Sequence, residues 1–220
     1  MGAVNSEIDR YIAGHIDPEP GYLADINRET HLRCLYPEMC SGHHQGRMLK
    51  MLTRMIRPMR VLELGTFTGY SALCLAEGAP DGCAVHTVEH NDEMEDFIRH
   101  NFSTAPHPVA SKITLHIGDA LATIGPLSEA VAPRGWDMVF IDANKRQYSD
   151  YYRAVLPHVA PGGFIIADNT LWYGKVDPAS GAHDAQTTAI LRFNEEVAAD
   201  PAVEAVILPL RDGLTILRKI

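Results

Sequence analysis

Two carboxylates and an amide stand at the ends of two predicted strands. The apolar segment 136–141 ends at Asp142, and the segment 163–167 ends at Asp168 and Asn169. Ligands of open parallel sheets bind at the carboxyl ends of the strands, so these three side chains are expected to converge. Carboxylate and amide oxygens are the ligands that hard divalent cations prefer. The sequence therefore predicts a metal site formed by these three residues.

Lys145 stands three residues after Asp142 and adds a candidate base. A bound cation lowers the pKa of a coordinated hydroxyl, and a phenol starts near ~10. The same cation would lower the pKa of the lysine from ~10.4, so Lys145 could accept the phenol proton. Taken singly, Asp142 could instead cap the next helix, and Asp168 with Asn169 could form a turn. We interpret Tyr148 and Tyr151, at helical spacing, as packing residues.

A glycine turn lies upstream, in the segment 61–71, which combines a strand, a tight turn and a helix start. Gly65 and Gly69 have three residues between them, and the third glycine of the dinucleotide fingerprint is missing. Glu63 would repel a pyrophosphate at close range but would attract the ammonium and sulfonium of S-adenosylmethionine. The segment therefore favours S-adenosylmethionine, although both glycines could serve only the turn.

The next two strand ends carry further candidates for the same cofactor. Glu89 ends the second strand about twenty residues beyond Gly69, where an acidic side chain typically accepts from ribose hydroxyls. Asp119 and Ala120 close the third strand and could flank the adenine. Glu89 and Asp119 could also act only as helix caps. Polar residues at three successive strand ends favour a cofactor site over isolated caps.

The elements that must position these residues follow from the hydrophobic pattern. Predicted strands lie at 60–64, 84–89, 113–117, 136–142 and 163–168, and predicted helices at 69–77, 92–103, 119–124 and 147–159. This alternation predicts a parallel sheet with helices on both faces. Three helices are predicted before it, from Asn5 or Ser6 to Ile16, from Pro20 to Leu35 and from His43 to Ile56. The tail predicts a helix at 184–199 and an antiparallel hairpin of strands 203–208 and 213–217.

Bulk composition bounds the class of protein. A chain of 220 residues fits one domain. The net charge of -9 opposes a nucleic-acid surface. No apolar run reaches the ~20 residues of a membrane span, and the N-terminus lacks a secretory signal, so we expect a cytoplasmic protein. The four cysteines form no C-x-x-C pair, which favours reduced thiols over zinc.

Four segments together resemble the cation-dependent O-methyltransferases, the family of caffeoyl-CoA and catechol O-methyltransferases. These segments are 63–71, 141–145, 168–172 and 212–214, and the resemblance runs from about Met39 to the C-terminus. It implies a Rossmann-like α/β methyltransferase fold with a seven-stranded, mostly parallel sheet, an antiparallel C-terminal hairpin and extra N-terminal helices. It also implies a homodimer, and a single domain in which residues 1–58 form a helical lid over cofactor and acceptor and residues 59–220 form the core.

The resemblance assigns roles to individual residues. It implies Asp142, Asp168 and Asn169 as metal ligands, Lys145 as base, and Asp142 and Asn169 as part of the catalytic set. Around S-adenosylmethionine it implies Met39, Ser41, Glu63, Gly65, Tyr70, Ser71, Glu89, Asp119, Ala120 and Asp142. Trp172 and Tyr173 follow the metal strand and could form an aromatic wall against a planar acceptor. Asn194 matches a helix on the substrate side of the family.

The predicted function is transfer of a methyl group from S-adenosylmethionine to a hydroxyl of a catechol-like small molecule. The predicted metal is Mg²⁺, with Mn²⁺ and Ca²⁺ as alternatives. A hydroxylated nucleobase in tRNA is a second acceptor class, which the negative charge disfavours. An NAD-dependent oxidoreductase and a catalytically silent cofactor-binding protein are alternatives of other classes. The loop 178–182, after the metal strand, is predicted to be a flexible substrate lid.

Overall fold

Seven strands form one sheet in this computed structural model, which describes residues 6–181 and 184–220. The strands are β1 Arg60–Leu64, β2 Ala84–Glu89, β3 Ile113–Ile117, β4 Trp136–Ile141, β5 Val159–Asp168, β6 Val203–Leu208 and β7 Leu214–Lys219. Their order is β3-β2-β1-β4-β5-β7-β6. Neighbours from β3 to β5 are parallel, and β7 is antiparallel to β5 and β6. The predicted fold class is confirmed.

Helices cover both faces of the sheet. They are α1 Ser6–Ala13, α2 Gly21–Arg33, α3 Gly42–Ile56, α4 Tyr70–Gly78, α5 Glu95–Thr104, α6 His107–Ala110, α7 Ala120–Val131, α8 Tyr148–Val155 and α9 Ala185–Ala199. One core cluster joins the sheet to α7, α8 and α9, and includes Trp136, Tyr148 and Phe193. The other joins it to α2, α3 and α4, and includes Leu49 and Leu73. Because side chains alternate along each strand, both faces of the central strands are apolar.

The strand order reverses at β1, which has β2 on one side and β4 on the other. Connections leave the sheet toward opposite faces at such a point, and a crevice opens at the carboxyl ends of the two strands. Gly65 follows β1 and Asp142 follows β4. The topology therefore brings the predicted cofactor turn next to the predicted metal site.

Two predicted helix boundaries are wrong at prolines. The helix predicted at 119–124 continues to Val131 with Pro126 inside it. Ile124 and Ser128 are both buried, so packing against the sheet continues past the proline and outweighs its local cost. The helix predicted at 147–159 instead comprises a 3₁₀ turn at Lys145–Gln147, α8, and a 3₁₀ turn at Leu156–His158. Val159 already pairs with Trp136 in the sheet.

The ends of the chain and one loop depart from prediction in smaller ways. The first helix ends at Ala13 rather than Ile16. The predicted cap at Asn5, the side chain of Ser6 and Ala182 of the predicted loop lie outside the described residues. Pro178–Ser180 forms a 3₁₀ turn whose N-terminus is capped by Asp177. Within residues 6–181 and 184–220, no helix has the length and apolar character of a membrane span.

Candidate active site

A cavity of about 470 Å³ opens at the carboxyl edge of the central strands. Fourteen of the predicted site residues line it: Met39, Ser41, Gly65, Tyr70, Ser71, Glu89, Asp119, Ala120, Asp142, Lys145, Asp168, Asn169, Trp172 and Tyr173. Two predicted residues, Glu63 and Asn194, are not part of this lining. The cavity therefore unites the predicted cofactor, metal and acceptor positions in one space.

The turn after β1 needs glycine because it touches the end of β4. Gly65 has φ 98°, and a Cβ added to it would lie 2.1 Å from the backbone oxygen of Asp142. No other residue fits this approach without moving the backbone. The glycine thus sets how closely the cofactor turn approaches the strand end that carries Asp142.

Glu63 lies beneath this turn and is fully buried. Its Oε2 accepts a hydrogen bond from Thr87 Oγ1 at 2.5 Å, and Ser71 also donates to it. Burial, reinforced by the charges of Asp142 and Glu89, raises the pKa of Glu63 to about 8. Because burial favours the neutral form of Glu63, its charge alone does not explain a preference for a cationic cofactor, and Glu63 stays a predicted cofactor residue. Its hydrogen bonds instead join β1 to β2 and to α4.

Glu89 and Asp119 both line the cavity, and both accept hydrogen bonds from the backbone. Glu89 Oε2 accepts from the backbone N–H of Phe67 at 2.7 Å, and Oε1 accepts from that of Asn91 at 2.8 Å. Asp119 Oδ1 caps α7 by accepting from the N–H of Ala122 at 2.9 Å. Asp119 is thus a helix cap, whereas Glu89 caps no helix, and the backbone hydrogen bonds fix each carboxylate in place at the cavity wall.

The predicted metal residues sit at the ends of β4 and β5. Asp168 is 4 % exposed, and its Oδ1 accepts from the N–H of Asn169 at 2.8 Å. Asn169 has φ 58°, a left-handed conformation that asparagine tolerates better than most residues. Burial and the nearby charge of Asp142 raise the pKa of Asp168. A carboxylate whose ionisation is disfavoured by a second carboxylate, next to an amide, suits a divalent cation.

The third donor of this set is an amide rather than a carboxylate or imidazole. Within the described part of the chain, no group of three or more His, Cys, Asp and Glu side chains could hold a metal ion. The donor set of Asp142, Asp168 and Asn169 is all oxygen, which matches Mg²⁺, Mn²⁺ or Ca²⁺ rather than zinc. The four cysteines are free thiols.

Lys145 bridges the two strand ends. Its Nζ donates to Asp142 Oδ1 at 2.7 Å and to the hydroxyl of Tyr148 at 2.7 Å, and that hydroxyl donates to the backbone oxygen of Asp168 at 2.9 Å. Burial lowers the pKa of Lys145, but the charge of Asp142, the neighbouring Tyr148 and Asp168 and the hydrogen bond to Asp142 together outweigh it, so the pKa lies above its ordinary value. Tyr148 packs edge-on against Phe193, as expected, and additionally positions the lysine.

Trp172 and Tyr173 form one wall of the cavity. Their ring centroids are 5.2 Å apart, and Tyr173 is half exposed. Both residues have left-handed backbones, and the N–H of Tyr173 donates to Asp212 Oδ1. Asn194 lies behind this wall, where its Nδ2 donates to the backbone oxygen of Thr170 at 2.8 Å. Its contact therefore supports the chain that follows Asn169 rather than the cavity surface.

The N-terminal segments are tied to the cofactor turn. The Tyr70 hydroxyl donates to Glu19 Oε1, and Thr30 Oγ1 donates to Thr68 Oγ1 at 3.1 Å. His43 Nε2 lies 2.7 Å from the backbone oxygen of Asp17. These contacts hold the region before α3 against the side of the cavity that Met39 and Ser41 line.

Sequence reasoning missed two residues beside the metal set. Gln45 Nε2 donates to Asp168 Oδ2 at 2.6 Å, and Arg211 Nη1 donates to Gln45 Oε1 at 2.7 Å. Gln45 and Asp168 are 123 positions apart in the sequence. No periodicity or motif predicts this contact, and the position of Arg211 in the sequence indicates only a residue of the hairpin turn.

The chain is similar to known O-methyltransferases over nearly its whole length. A family model described as O-methyltransferase matches residues 14–220. Caffeoyl-CoA O-methyltransferase 1 of Eucalyptus globulus is 33% identical over 209 residues, which cover 93% of this chain and 83% of that protein. Caffeoyl-CoA O-methyltransferase 5 of Nicotiana tabacum is 32% identical, over 92% of this chain and 85% of that protein.

Solved structures agree with the sequence comparison. An O-methyltransferase from Bacillus cereus in complex with SAH superposes with a TM-score of 0.87 at 27% identity, over 97% of each chain. The O-methyltransferase TomG from Streptomyces achromogenes, in complex with SAM, gives a TM-score of 0.86 at 27% identity, over 97% of this chain and 96% of TomG. The predicted NAD-dependent alternative is wrong. The chain belongs to the family of S-adenosylmethionine-dependent O-methyltransferases and is of the caffeoyl-CoA O-methyltransferase type.

Proposed function

We propose that the protein methylates a hydroxyl of a catechol-like, vicinal dihydroxy small molecule with the help of a divalent cation. One observation carries this proposal: Asp142, Asp168, Asn169 and Lys145 line the same cavity as the residues assigned to the cofactor. The acceptor class is supported by the caffeoyl-CoA O-methyltransferases to which the chain is similar. Mg²⁺ is the proposed metal, and Mn²⁺ and Ca²⁺ are alternatives.

The proposed chemistry divides between the metal set and the lysine. Asp142, Asp168 and Asn169 would hold the cation, and their all-oxygen character fits a hard ion. When bound, the cation supplies positive charge that offsets both carboxylates and lowers the pKa of the acceptor hydroxyl and of Lys145. Lys145 Nζ, held by Asp142 and Tyr148, then accepts the hydroxyl proton.

Transfer follows once the acceptor oxygen carries the negative charge. This oxygen attacks the methyl carbon of S-adenosylmethionine in line, the sulfur–carbon bond breaks, and S-adenosylhomocysteine leaves. The cavity contributes by fixing the two reactants next to each other, which supplies much of the acceleration. Trp172 and Tyr173 would pack against the planar acceptor.

A catechol panel tests this function directly. We expect methyl transfer from S-adenosylmethionine to caffeoyl-type and simpler catechols with Mg²⁺, and loss of activity on complete chelation. Lys145→Ala should lower kcat by about 10²- to 10⁴-fold, because the proton acceptor is lost, with little change in affinity for S-adenosylhomocysteine. Asp168→Ala should abolish the response to metal.

Three outcomes would contradict the proposal. Activity that survives both chelation and Asp168→Ala would refute the metal mechanism. Equal activity of wild type and Lys145→Ala on every acceptor would favour a catalytically silent binding protein. Methylation of bulk tRNA, with catechols inert, would move the acceptor class to a nucleobase. The homodimer, the helical lid of residues 1–58 and the cytoplasmic location stay predictions.

A further inference from the structure

We infer that Gln45 and Arg211 form a relay that positions the metal carboxylate Asp168 and couples it to the backbone segment beside the cofactor. This inference rests on the proposed metal-dependent function. Gln45 is 1 % exposed and lies in the first turns of α3. Its amide contacts the proposed metal ligand Asp168 on one side and the guanidinium of Arg211 on the other. Neither residue is needed to explain the fold of the sheet.

The chemistry of the three groups allows only one arrangement. The guanidinium of Arg211 has donors alone, and the ionised carboxylate of Asp168 has acceptors alone. The amide of Gln45 must therefore turn its oxygen to Arg211, at 2.7 Å, and its NH₂ to Asp168, at 2.6 Å. A buried amide held at both ends cannot rotate without breaking a hydrogen bond. Gln45 thus fixes the Oδ2 edge of Asp168, while the N–H of Asn169 holds Oδ1.

Arg211 extends the relay to the cofactor side of the cavity. Its guanidinium also donates to the backbone oxygens of Ser41 and Cys40, which precede α3. Ser41 lines the cavity, and so does Arg211 itself. One side chain therefore holds both the segment that carries Ser41, a predicted S-adenosylmethionine residue, and the amide that orients Asp168. The charged guanidinium of Arg211 also polarises the amide of Gln45 and strengthens the hydrogen bond from this amide to the carboxylate of Asp168.

The backbone at Arg211 indicates a local cost that these contacts offset. Arg211 has φ 48°, in the left-handed region, which is uncommon for a long side chain. Such conformations persist where surrounding contacts hold them in place. The three carbonyl and amide acceptors of the guanidinium supply those contacts. Outer residues that orient a metal ligand typically change metal affinity by about 10- to 100-fold when removed.

Metal binding measured without turnover tests the relay. Mn²⁺ is titrated into wild type, Gln45→Met, Arg211→Lys and the double variant, and free Mn²⁺ is followed by electron paramagnetic resonance. Methionine keeps the length of glutamine but cannot bridge the two charges, and lysine keeps the charge of Arg211 but cannot serve all its acceptors. Arg54→Lys, on the exposed part of α3, is the matched control.

We expect Gln45→Met to weaken Mn²⁺ binding by about 10- to 100-fold. Its affinity for S-adenosylhomocysteine without metal should stay within about threefold of wild type, which also shows that it is folded. Arg211→Lys should weaken both Mn²⁺ and S-adenosylhomocysteine binding. The double variant should bind Mn²⁺ no worse than Gln45→Met, because both changes break one relay. Arg54→Lys should match wild type.

Two results overturn the relay while leaving the proposed function intact. In the first, wild type binds Mn²⁺ and Gln45→Met binds it equally well. In the second, the losses of the two single variants add in the double variant, so the residues act separately. Failure of wild type to bind Mn²⁺ at any concentration would instead refute the proposed metal function, and the relay with it.

Discussion

At the residue scale, burial and packing govern the side chains around the cavity: burial raises the pKa of Glu63, and Gln45 holds one oxygen of Asp168. Asp142, Asp168 and Lys145 could be predicted because parallel strands end at one edge, so residues far apart in sequence meet there. Gln45 could not, because its partner is set by how α3 packs on the sheet. Glu63 was assigned a charge from its type alone, whereas burial decides its protonation.

Glu63 makes stability depend on pH in a definite direction. Folded protein keeps the Glu63 proton up to a pKa of about 8, whereas the unfolded chain releases it near 4.5. The unfolded state is thus favoured as pH rises through this window, and wild type loses stability from pH 5 to 8. Glu63→Gln keeps an acceptor for Thr87 but has no proton to lose. We expect its free energy of unfolding, measured with urea, to gain on that of wild type across this range by on the order of 3 kcal/mol.

The control for this prediction is the comparison at low pH. Near pH 5 most Glu63 is protonated in the folded state and the difference between the two proteins should be smallest. A constant difference in unfolding free energy from pH 5 to 8 would show that Glu63 is ionised in the folded protein.

At the element scale, the alternation of strands and helices could be predicted, and most errors lie at helix ends. α7 runs through Pro126 because its buried stripe continues on the far side, and the indole of Trp136 donates to Ser128 Oγ there at 2.8 Å. α8 ends before Pro157, which has no N–H to continue the helix, and β5 starts at Val159 after one 3₁₀ turn. Tertiary packing decided the first boundary and local stereochemistry the second.

The pairing of β2 with β3 contains a histidine pair that should respond to acid. His86 Nδ1 lies 2.9 Å from His116 Nε2, so one ring must accept, and a second proton would bring two donors together. Burial, with the charge of His116, lowers the pKa of His86 to about 4. The unfolded chain takes up this proton near pH 6.5, so the folded state loses stability as pH falls from 6.5 to 4.

A substitution isolates this contribution. We expect His86 to lower the free energy of unfolding of wild type by about 1–2 kcal/mol between pH 7 and 5, after allowance for its partial exposure to solvent. His86→Gln has no ring to protonate and should lose correspondingly less between pH 7 and 5 in urea unfolding. If the free energy of unfolding fell equally with pH in the two proteins, His86 would have the same pKa in the folded state as in the unfolded chain.

At the scale of the whole molecule, the cavity depends on contributions from both ends of the chain. Ser41 comes from the segment before α3, Asp142 and Asp168 from the central sheet, and Arg211 from the C-terminal hairpin. The sheet brings these together because its order reverses at β1, and β7 returns antiparallel beside β5. Arg211 then joins the hairpin to the N-terminal region through the backbone oxygen of Ser41. The fold therefore couples the cofactor side of the cavity to its metal side.

The central claim is that Asp142, Asp168 and Asn169 hold a divalent cation within this cavity. Anomalous diffraction from crystals grown with S-adenosylhomocysteine and excess Mn²⁺ tests it most directly. We expect one strong anomalous peak between these three side chains, and its loss in Asp168→Ala crystals. A cavity without a peak at saturating Mn²⁺, or a peak held by other residues, would contradict it.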